Sequence, residues 1–260
     1  MKDPAPPRAM ILAAGLGTRL RPLTETTPKP LVEVAGHPLI AYAIGLLRES
    51  GVEDVVVNLH HLGDQVVRAL GDGSALGVRI HWSPEETLLD TGGGIRQAAP
   101  IFERIGRERG DPGGPIVIAN SDVISEIPVA DVVRRHRERG ALVTMVLRAD
   151  PRAAGYGLFG IDATDRIRRF LGEGDPDPTL RELMFGSLHV IDPRVLDRMP
   201  EGRPFGTMRD LYPVLFREGG RFEGFVYEGP WWTADTAADL AATSEALRSG
   251  LPSYMRAARA

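Results

Sequence analysis

Apolar residues along this chain fall into two alternating textures, short runs that suit strands and sets recurring every three or four positions that suit helices. Ala9 to Ala14 is a continuous run predicted to be a buried strand, and Leu39, Ile40, Ala43, Ile44 and Leu47 then recur at helical spacing until the stop at Gly51. Val55 to Leu59 predicts the next strand, Gly63 to Leu70 a helix, Val78 to Trp82 an alternating strand, Gly94 to Phe102 a helix and Ile116 to Ala119 another apolar strand. Asp131 to Arg139 reads as a charged, solvated helix, and Ala141 to Leu147 as a strand in which Val143, Met145 and Leu147 alternate with their neighbours. Strands alternating with helices predict an α/β fold whose mixed, mostly parallel central sheet is flanked by helices on both faces. Ligands of such sheets lie beyond the carboxyl ends of the strands.

The texture changes near residue 150. Gly157 to Asp162 and Arg166 to Leu171 form a predicted hairpin pair, Gly172 to Pro178 a loop, and Leu183 to Ile191 a further strand. Pro193 to Met199 and Thr207 to Phe216 are predicted helical, Phe222 to Tyr227 extended, and Thr236 to Leu247 a closing helix. These elements are expected to extend the same sheet, so that residues 1–260 make a single domain: a first half over about 9–150 and an added lobe over about 151–260. No repeat of about 20 to 50 residues and no hexapeptide β-helix tail is visible.

Composition narrows the function. A hydrophobic content of 43% suffices for a real core, and a net charge of -4 gives no general affinity for nucleic acid, so any cationic patch must be local. There is no cysteine, which excludes disulfides and zinc-thiolate sites. The proline-rich start, Met1 to Arg8, leads into an apolar run too short for a signal peptide, and no window approaches the roughly 20 apolar residues of a membrane span. A soluble cytoplasmic protein with no nucleic-acid or membrane partner, monomeric or homodimeric, is expected.

The most informative chemistry follows the first strand. Gly15 and Gly17 let the backbone turn and present N–H groups to an anion. No Walker A motif is present, and Leu20 occupies the place of the third glycine of a dinucleotide fingerprint. Arg19 brings a planar fork suited to two phosphate oxygens, and Lys29 a point charge on a segment stiffened by Pro28 and Pro30. Arg21 has no such support and reads as a surface residue. Asp122, just past the strand at Ile116 to Ala119, stands where ligand-binding residues collect, although Asn120, Ser121 and Asp122 are also turn formers.

The stretch "LAAGLGTRLRPLT" followed by "PKPLVEVAGHPLI" resembles the signature of the sugar-1-phosphate nucleotidyltransferases, and "SPEETLLDTGGGI" and "NSDV" continue in that family's order and spacing. Similarity thins after residue 150 but persists in "GYGLFGID", "RFLGEG", "HVIDPRVL" and "WWTADTAADL". The resemblance implies a Rossmann-like nucleotidyltransferase fold with an acceptor-side lobe, and an enzyme that joins an NTP and a sugar 1-phosphate into an NDP-sugar with loss of pyrophosphate. It further implies that Leu12, Ala13, Ala14, Gly15, Gly17, Thr18 and Asn120 bind the nucleotide, that Thr91, Gly92 and Gly93 meet base and ribose, and that Arg19 stabilises the leaving pyrophosphate. Lys29 would bridge the α-phosphate and the sugar phosphate, Asp122 and Asp235 would hold Mg²⁺, and Gly157 and Glu173 would contact the sugar.

Residue types also leave alternatives open. The three glycines after Thr91 could simply enter a helix, and Asp235 could cap the helix at Thr236, whereas Asp239 is turned elsewhere by the helical pattern. Thr233 stands where many members carry the first acid of Asp-x-Gly-Thr, and Gly174 where many carry a sugar-phosphate lysine, a task left to Lys29 with Arg168 or Arg169. His60 and His61 point to opposite faces of a strand and are expected to pack; Trp231 or Trp232 is expected in the core rather than under a sugar. "LDTGGGI" looks closest to N-acetylmuramate 1-phosphate uridylyltransferases, a cell-wall precursor activity, and to mannose-1-phosphate guanylyltransferase-like enzymes, so UTP is the expected donor and GTP the next. A catalytically silent nucleotide-sugar sensor and an NDP-sugar-consuming glycosyltransferase remain as other classes, the latter disfavoured because "NSDV" lacks the first acid of Asp-x-Asp. Lys29 is expected to be an exposed cation whose loss would spare the fold.

Overall fold

The computed structural model describes residues 6–151, 153 and 157–256. Its strands are β1 (Arg8–Leu12), β2 (Glu33–Val34), β3 (His37–Pro38), β4 (Asp54–Leu59), β5 (Arg79–Pro84), β6 (Ile116–Asn120) and β7 (Val123–Ser125), then β8 (Val143–Arg148), β9 (Phe159–Ile161), β10 (Ile167–Phe170), β11 (Glu173–Gly174), β12 (Arg181–Ile191), β13 (Phe222–Val226) and β14 (Trp231–Thr233). The helices are α1 (Leu39–Glu49), α2 (Gly63–Leu70), α3 (Asp90–Gln97), α4 (Ala99–Glu108), α5 (Val129–Arg139), α6 (Tyr212–Arg217), α7 (Ala237–Arg248) and α8 (Ser253–Arg256).

Ten of these strands form one sheet in the order β11-β10-β9-β12-β6-β1-β4-β5, with β8 also on β12 and β13 on β8. β5, β4, β1 and β6 are parallel, β12 opposes both β6 and β8, and β13 is parallel to β8, so along the path β5-β4-β1-β6-β12-β8-β13 only β12 runs against the rest. The α/β, mixed and mostly parallel sheet predicted from the pattern is therefore present. Because side chains alternate across a strand, Ala9, Ile11, Val55, Val57 and Val117 face the core containing α1, while Met10, Val56 and Ile118 face the core containing Phe102 and Ile105 of α4. Helices cover both faces.

β12 changes partners along its length: Leu188 to Ile191 pair with Ala119 to Ile116 of β6, whereas Arg181 to Leu183 pair with β9. The small antiparallel β9-β10-β11 ladder thus continues the sheet past the carboxyl end of β6. It lies within the stretch 151–260 expected to form an added lobe.

Several boundaries differ from expectation for identifiable reasons. β1 stops at Leu12, and the chain turns at Ala13, whose N–H donates to Asn58 Oδ1 at 2.8 Å. The helix expected over 94–102 is two helices, because α3 begins at Asp90 with all three glycines inside it and Pro100 opens α4 from its first turn. Residues 193–198 form a 3-10 turn rather than an α-helix, and Thr207–Leu211 is a π-helical turn leading into α6. α5 is more than a solvated face: Val129, Val132, Val133 and His136 are buried, and Arg135 reaches Asp165 at 2.9 Å. Trp231 and Trp232 are both only partly buried, on β14, with the Arg148 guanidinium 4.8 Å from the Trp231 ring.

At the opposite end of the sheet from the strand carboxyl termini, Asp54 opens β4 almost fully buried and accepts hydrogen bonds from Arg79 Nε at 2.6 Å and Arg109 Nε at 2.6 Å, with His81 Nε2 at 2.7 Å. Burial works to raise its pKa, but the bonds from His81, Arg79 and Arg109 outweigh burial and hold it below the usual carboxylate range. Asp54→Ala should therefore cost about 3 kcal/mol in urea unfolding, because it strands the largely buried Arg109 and His81. A depressed native pKa stabilises above the unfolded value and is lost as pH falls through the native one, so the gap between variant and parent should close below roughly pH 4.

Candidate active site

The turn after β1 is shaped by two glycines with different duties. At Gly15 an added Cβ would meet nothing within 4 Å, so the turn leaves open space beside its backbone. Gly17 lies at φ 62, and its Cβ would fall 2.9 Å from Thr24 Cγ2 and 3.2 Å from Lys29 Cβ, so only glycine fits. A 3-10 turn over Thr18–Leu20 then buries Leu20 and leaves Arg19 exposed.

The segment carrying Lys29 is pinned from below. Thr24 Oγ1 donates to Gly17 O at 2.8 Å, His61 Nε2 bonds Thr24 O at 3.0 Å, and Gln65 Nε2 donates to Thr26 O at 3.1 Å. His60 Nδ1 bonds Glu85 O at 2.9 Å. The two histidines do more than pack: each ties a loop carbonyl to the end of β4. Pro28 is extended as expected, but Lys29–Leu31 is a 3-10 turn in which Pro30 occupies an early position that needs no N–H donor.

Lys29 Nζ lies 2.5 Å from Asp122 Oδ2 and 2.7 Å from Asp235 Oδ1, with Arg19 3.3 Å from the same Asp235 oxygen. Each partner arrives by backbone geometry. β6 delivers Asp122 just past Asn120, and the antiparallel β7–β14 ladder sets Thr233 opposite Val123, after which Ala234 N donates to Asp122 O at 3.0 Å and Asp235 emerges beside Asp122. Asp239 is elsewhere: it closes a capping box with Thr236 at the start of α7, so Thr236 rather than Asp235 is the cap. Thr233 is buried, and its carbonyl accepts from Thr243 Oγ1 at 2.8 Å.

Burial opposes the charge of Lys29, yet Asp122 and Asp235 outweigh it and raise its pKa. Burial raises the pKa of Asp122; for Asp235 burial also acts upward, but the bonds from Lys29 prevail and lower it. Two carboxylates already converge on a single cation here. That donor set matches what a divalent ion such as Mg²⁺ requires of a protein when phosphate oxygens and water complete its shell. Among the described residues no cluster of three or more His, Asp or Glu capable of holding a metal occurs.

Leu12, Ala13, Gly15, Gly17, Thr18, Arg19, Lys29, Asp122 and Asp235 line one cavity of about 210 Å³. It adjoins a more apolar cavity of about 470 Å³, with Leu12, Gly15 and Asp122 shared and Ala14, Thr91 and Asn120 added from the expected set. Gly92 and Gly93 stand back from both. A Cβ on Gly92 would fall 2.1 Å from the Phe205 ring and one on Gly93 2.8 Å from Leu89 Cβ, while both N–H groups donate to Phe205 O at 2.9 and 3.3 Å. Their missing side chains let α3 press on the 203–206 segment.

The acceptor-side residues lie apart from Lys29. Gly157 and Arg169 line a separate hollow of about 550 Å³, and Glu173 is exposed and paired with Arg217 at 2.6 Å. Arg168 bonds Asp162 and Arg169 bonds Glu182, each at 2.7 Å, so neither stands beside Lys29 in this structure to replace the lysine absent at Gly174. Sequence reasoning passed over Asn58, Leu88, Asp90 and Pro204, which line the larger cavity, and Glu85, buried behind it. The signal for Asn58 was a polar residue interrupting a valine run, and Glu85 lay inside a motif already singled out.

Comparison with known proteins fits this arrangement. A family model described as nucleotidyl transferase matches residues 8–232. A mannose-1-phosphate guanylyltransferase of Mycobacterium tuberculosis is 33% identical over 94% of this chain and 65% of its own length. An N-acetylmuramate alpha-1-phosphate uridylyltransferase of Neisseria meningitidis serogroup B is 35% identical over 90% of this chain and 95% of its own length. A UTP–glucose-1-phosphate uridylyltransferase of Synechocystis is 28% identical, and the chain spans 59% of it, so it covers less than two thirds of several relatives it matches. Among solved structures, a putative glucose-1-phosphate thymidylyltransferase from Bacillus anthracis superposes with a TM-score of 0.76 at 19% identity, covering 96% of this chain and 98% of the other, which shows a shared fold.

The burial of Lys29, whose side chain is 12% exposed, corrects the expectation that it is an exposed cation. Lys29→Ala leaves two half-buried carboxylates facing each other and should cost roughly 1–3 kcal/mol in denaturant unfolding. Asp235→Asn combined with Lys29→Ala should recover part of that loss, as a double-mutant cycle would read.

Proposed function

The chain belongs to the nucleotidyl transferase family, and from that premise we propose that it transfers a nucleotidyl group from an NTP to a sugar 1-phosphate, releasing pyrophosphate. The observation that carries this reading is Lys29 Nζ held 2.5 and 2.7 Å from Asp122 and Asp235 beside the open Gly15 turn, with Arg19 at the same edge.

In this reaction an oxygen of the sugar phosphate attacks the α-phosphorus and pyrophosphate departs in line. The attacking phosphate is itself anionic, so no general base is demanded, and bringing two repelling anions together is the main task. Gly15, Gly17 and Thr18 wrap the triphosphate, Arg19 takes charge developing on the leaving pyrophosphate, and Lys29 turns its ammonium from the carboxylates onto the α-phosphate and the incoming phosphate. Asp122 and Asp235 would hold Mg²⁺, which when bound neutralises phosphate charge. Leu88, Asp90, Thr91 and Pro204 shape the larger cavity for the nucleoside, and the β9-β10-β11 lobe with Gly157 and Glu173 covers the acceptor.

UTP with an N-acetylmuramate 1-phosphate-like acceptor is the favoured pair, and GTP with mannose 1-phosphate the next; relatives of both kinds support the reading at similar identity. A silent nucleotide-sugar sensor would need the same cavity but not the Lys29, Asp122 and Asp235 cluster. A glycosyltransferase would not need Arg19, since its donor loses no pyrophosphate. No helix among the described residues is long and apolar enough to cross a membrane.

A panel of NTPs against sugar 1-phosphates with Mg²⁺, scored for pyrophosphate release, should show turnover with at least one pair. Binding of an NDP-sugar without turnover would favour the sensor instead. Asp122→Asn and Lys29→Ala should each lower kcat/KM by at least about 100-fold, consistent with loss of a transition-state contact, whereas Arg21→Ala should stay within a few-fold.

A further inference from the structure

We propose that Asn58 and Glu85 form a buried relay that fixes the spacing between the two walls of the larger cavity, making Glu85 a positioning residue for the nucleotide. The inference deepens the reading of that site as a nucleotidyltransferase centre and rests on it.

The relay runs through four groups. Ala13 N donates to Asn58 Oδ1 at 2.8 Å, Asn58 Nδ2 donates to Glu85 Oε1 at 2.7 Å, and Leu89 N donates to Glu85 Oε2 at 2.9 Å. Its ends adjoin two different lining segments: Ala13 starts the turn that continues into Ala14 and Gly15, and Leu89 lies between Leu88 and Asp90 at the entrance to α3. Asn58 and Glu85 are 3% and 5% exposed, so solvent cannot replace a lost partner.

The direction of every bond is forced. A backbone N–H can only donate, so Asn58 turns its oxygen to Ala13 and its NH₂ to Glu85. Glu85 then faces a donor on each oxygen, and a carboxylate supplies two acceptors in that space where an amide supplies one. Among the described residues no basic side chain makes an ion pair with Glu85. An unpaired buried acid is an expensive way to fill a core, and stability alone does not account for it.

Gly94 supplies an independent sign that the relay is built in. A Cβ there would lie 2.6 Å from Glu85 Oε1 and 2.8 Å from Asn58 Nδ2. The third glycine of "TGGGI" thus makes room for this contact, as the first two make room for Phe205 and Leu89. His60 Nδ1 bonds the Glu85 carbonyl at 2.9 Å and anchors the same residue to the end of β4.

The test reverses the relay. Glu85→Gln places an NH₂ against either Asn58 Nδ2 or Leu89 N, so one donor–donor conflict is unavoidable. In the double variant Asn58→Asp/Glu85→Gln, the carboxylate introduced at position 58 would accept from Ala13 N and from the new amide at position 85. The oxygen of that amide would accept from Leu89 N, so every bond is restored with the charge moved one residue along. Glu85→Gln should raise the KM and the dissociation constant for the NTP by about tenfold, the equivalent of one lost hydrogen bond, with kcat and the sugar-phosphate KM within a few-fold. The double variant should return NTP binding to near the parent value.

Equilibrium dialysis with the NTP in the panel above separates the relay from the reaction. A parent that binds NTP without turnover, with binding loosened in Glu85→Gln and restored in the double variant, sinks the reaction and keeps the relay. Unchanged NTP affinity in Glu85→Gln, a folded double variant that stays as weak as the single, or a parent that binds no NTP overturns the relay. If Glu85→Gln alone fails to fold, the double variant decides: parental NTP binding supports the relay and weak binding by a folded protein overturns it.

Discussion

One ammonium group, that of Lys29, reconciles two carboxylates that the fold forces together from opposite halves of the chain. Like charges about 4 Å apart at the edge of a protein repel by about 4 kcal/mol when the effective dielectric is near 20. Asp122 and Asp235 are half-buried, so water screens them poorly, and the lysine must supply what water does not. The geometry of the whole site follows from this constraint. Lys29 has to reach both acids, so its turn is clamped by Pro28 and Pro30 and by the Thr24 contact with Gly17, and Gly17 cannot carry a side chain because Thr24 Cγ2 and Lys29 Cβ pass too close.

The sheet converts that local requirement into a place. Parallel β1 and β6 end side by side, which puts the glycine turn and Asp122 at one rim, and the partner exchange along β12 raises the β9-β10-β11 ladder past the same rim. The far end of the sheet is organised differently. There Asp54 gathers Arg79, His81 and Arg109 into a hydrogen-bonded network that ties β4, β5 and the end of α4 together.

How much of this was legible depended on whether the signal was local. Val55 to Leu59 and Ile116 to Ala119 announce buried parallel strands because nearly every position is apolar, and the Gly15 to Lys29 stretch carries the glycines and cations on which the expected anion site rests. Asp235 was separable from Asp239 because helical spacing turned the latter away, and the capping box bears that out. What escaped notice was long-range. Lys29 looks exposed in one dimension, and only the β7–β14 ladder brings Asp235 to cover it. The packing of the glycines at 92 and 93 was equally hidden, because Gly92 meets the Phe205 ring and Gly93 the Arg203 carbonyl, both over a hundred residues later. Asn58 and Glu85 were hidden because a buried polar pair leaves no periodicity, only an interruption in it.

The β7–β14 ladder also has a meaning in time. Synthesis runs from the amino terminus, so β1, β4, β5 and β6 can emerge and pair while Asp235 is still inside the ribosome. A nascent chain at that stage has its glycine turn, Lys29 and Asp122 but lacks the second acid. The cluster closes only when β14 has docked on β7, a ladder apart from the ten-stranded sheet whose last strand in the chain is β13, so a sheet with all its strands in place can still carry an unfinished site.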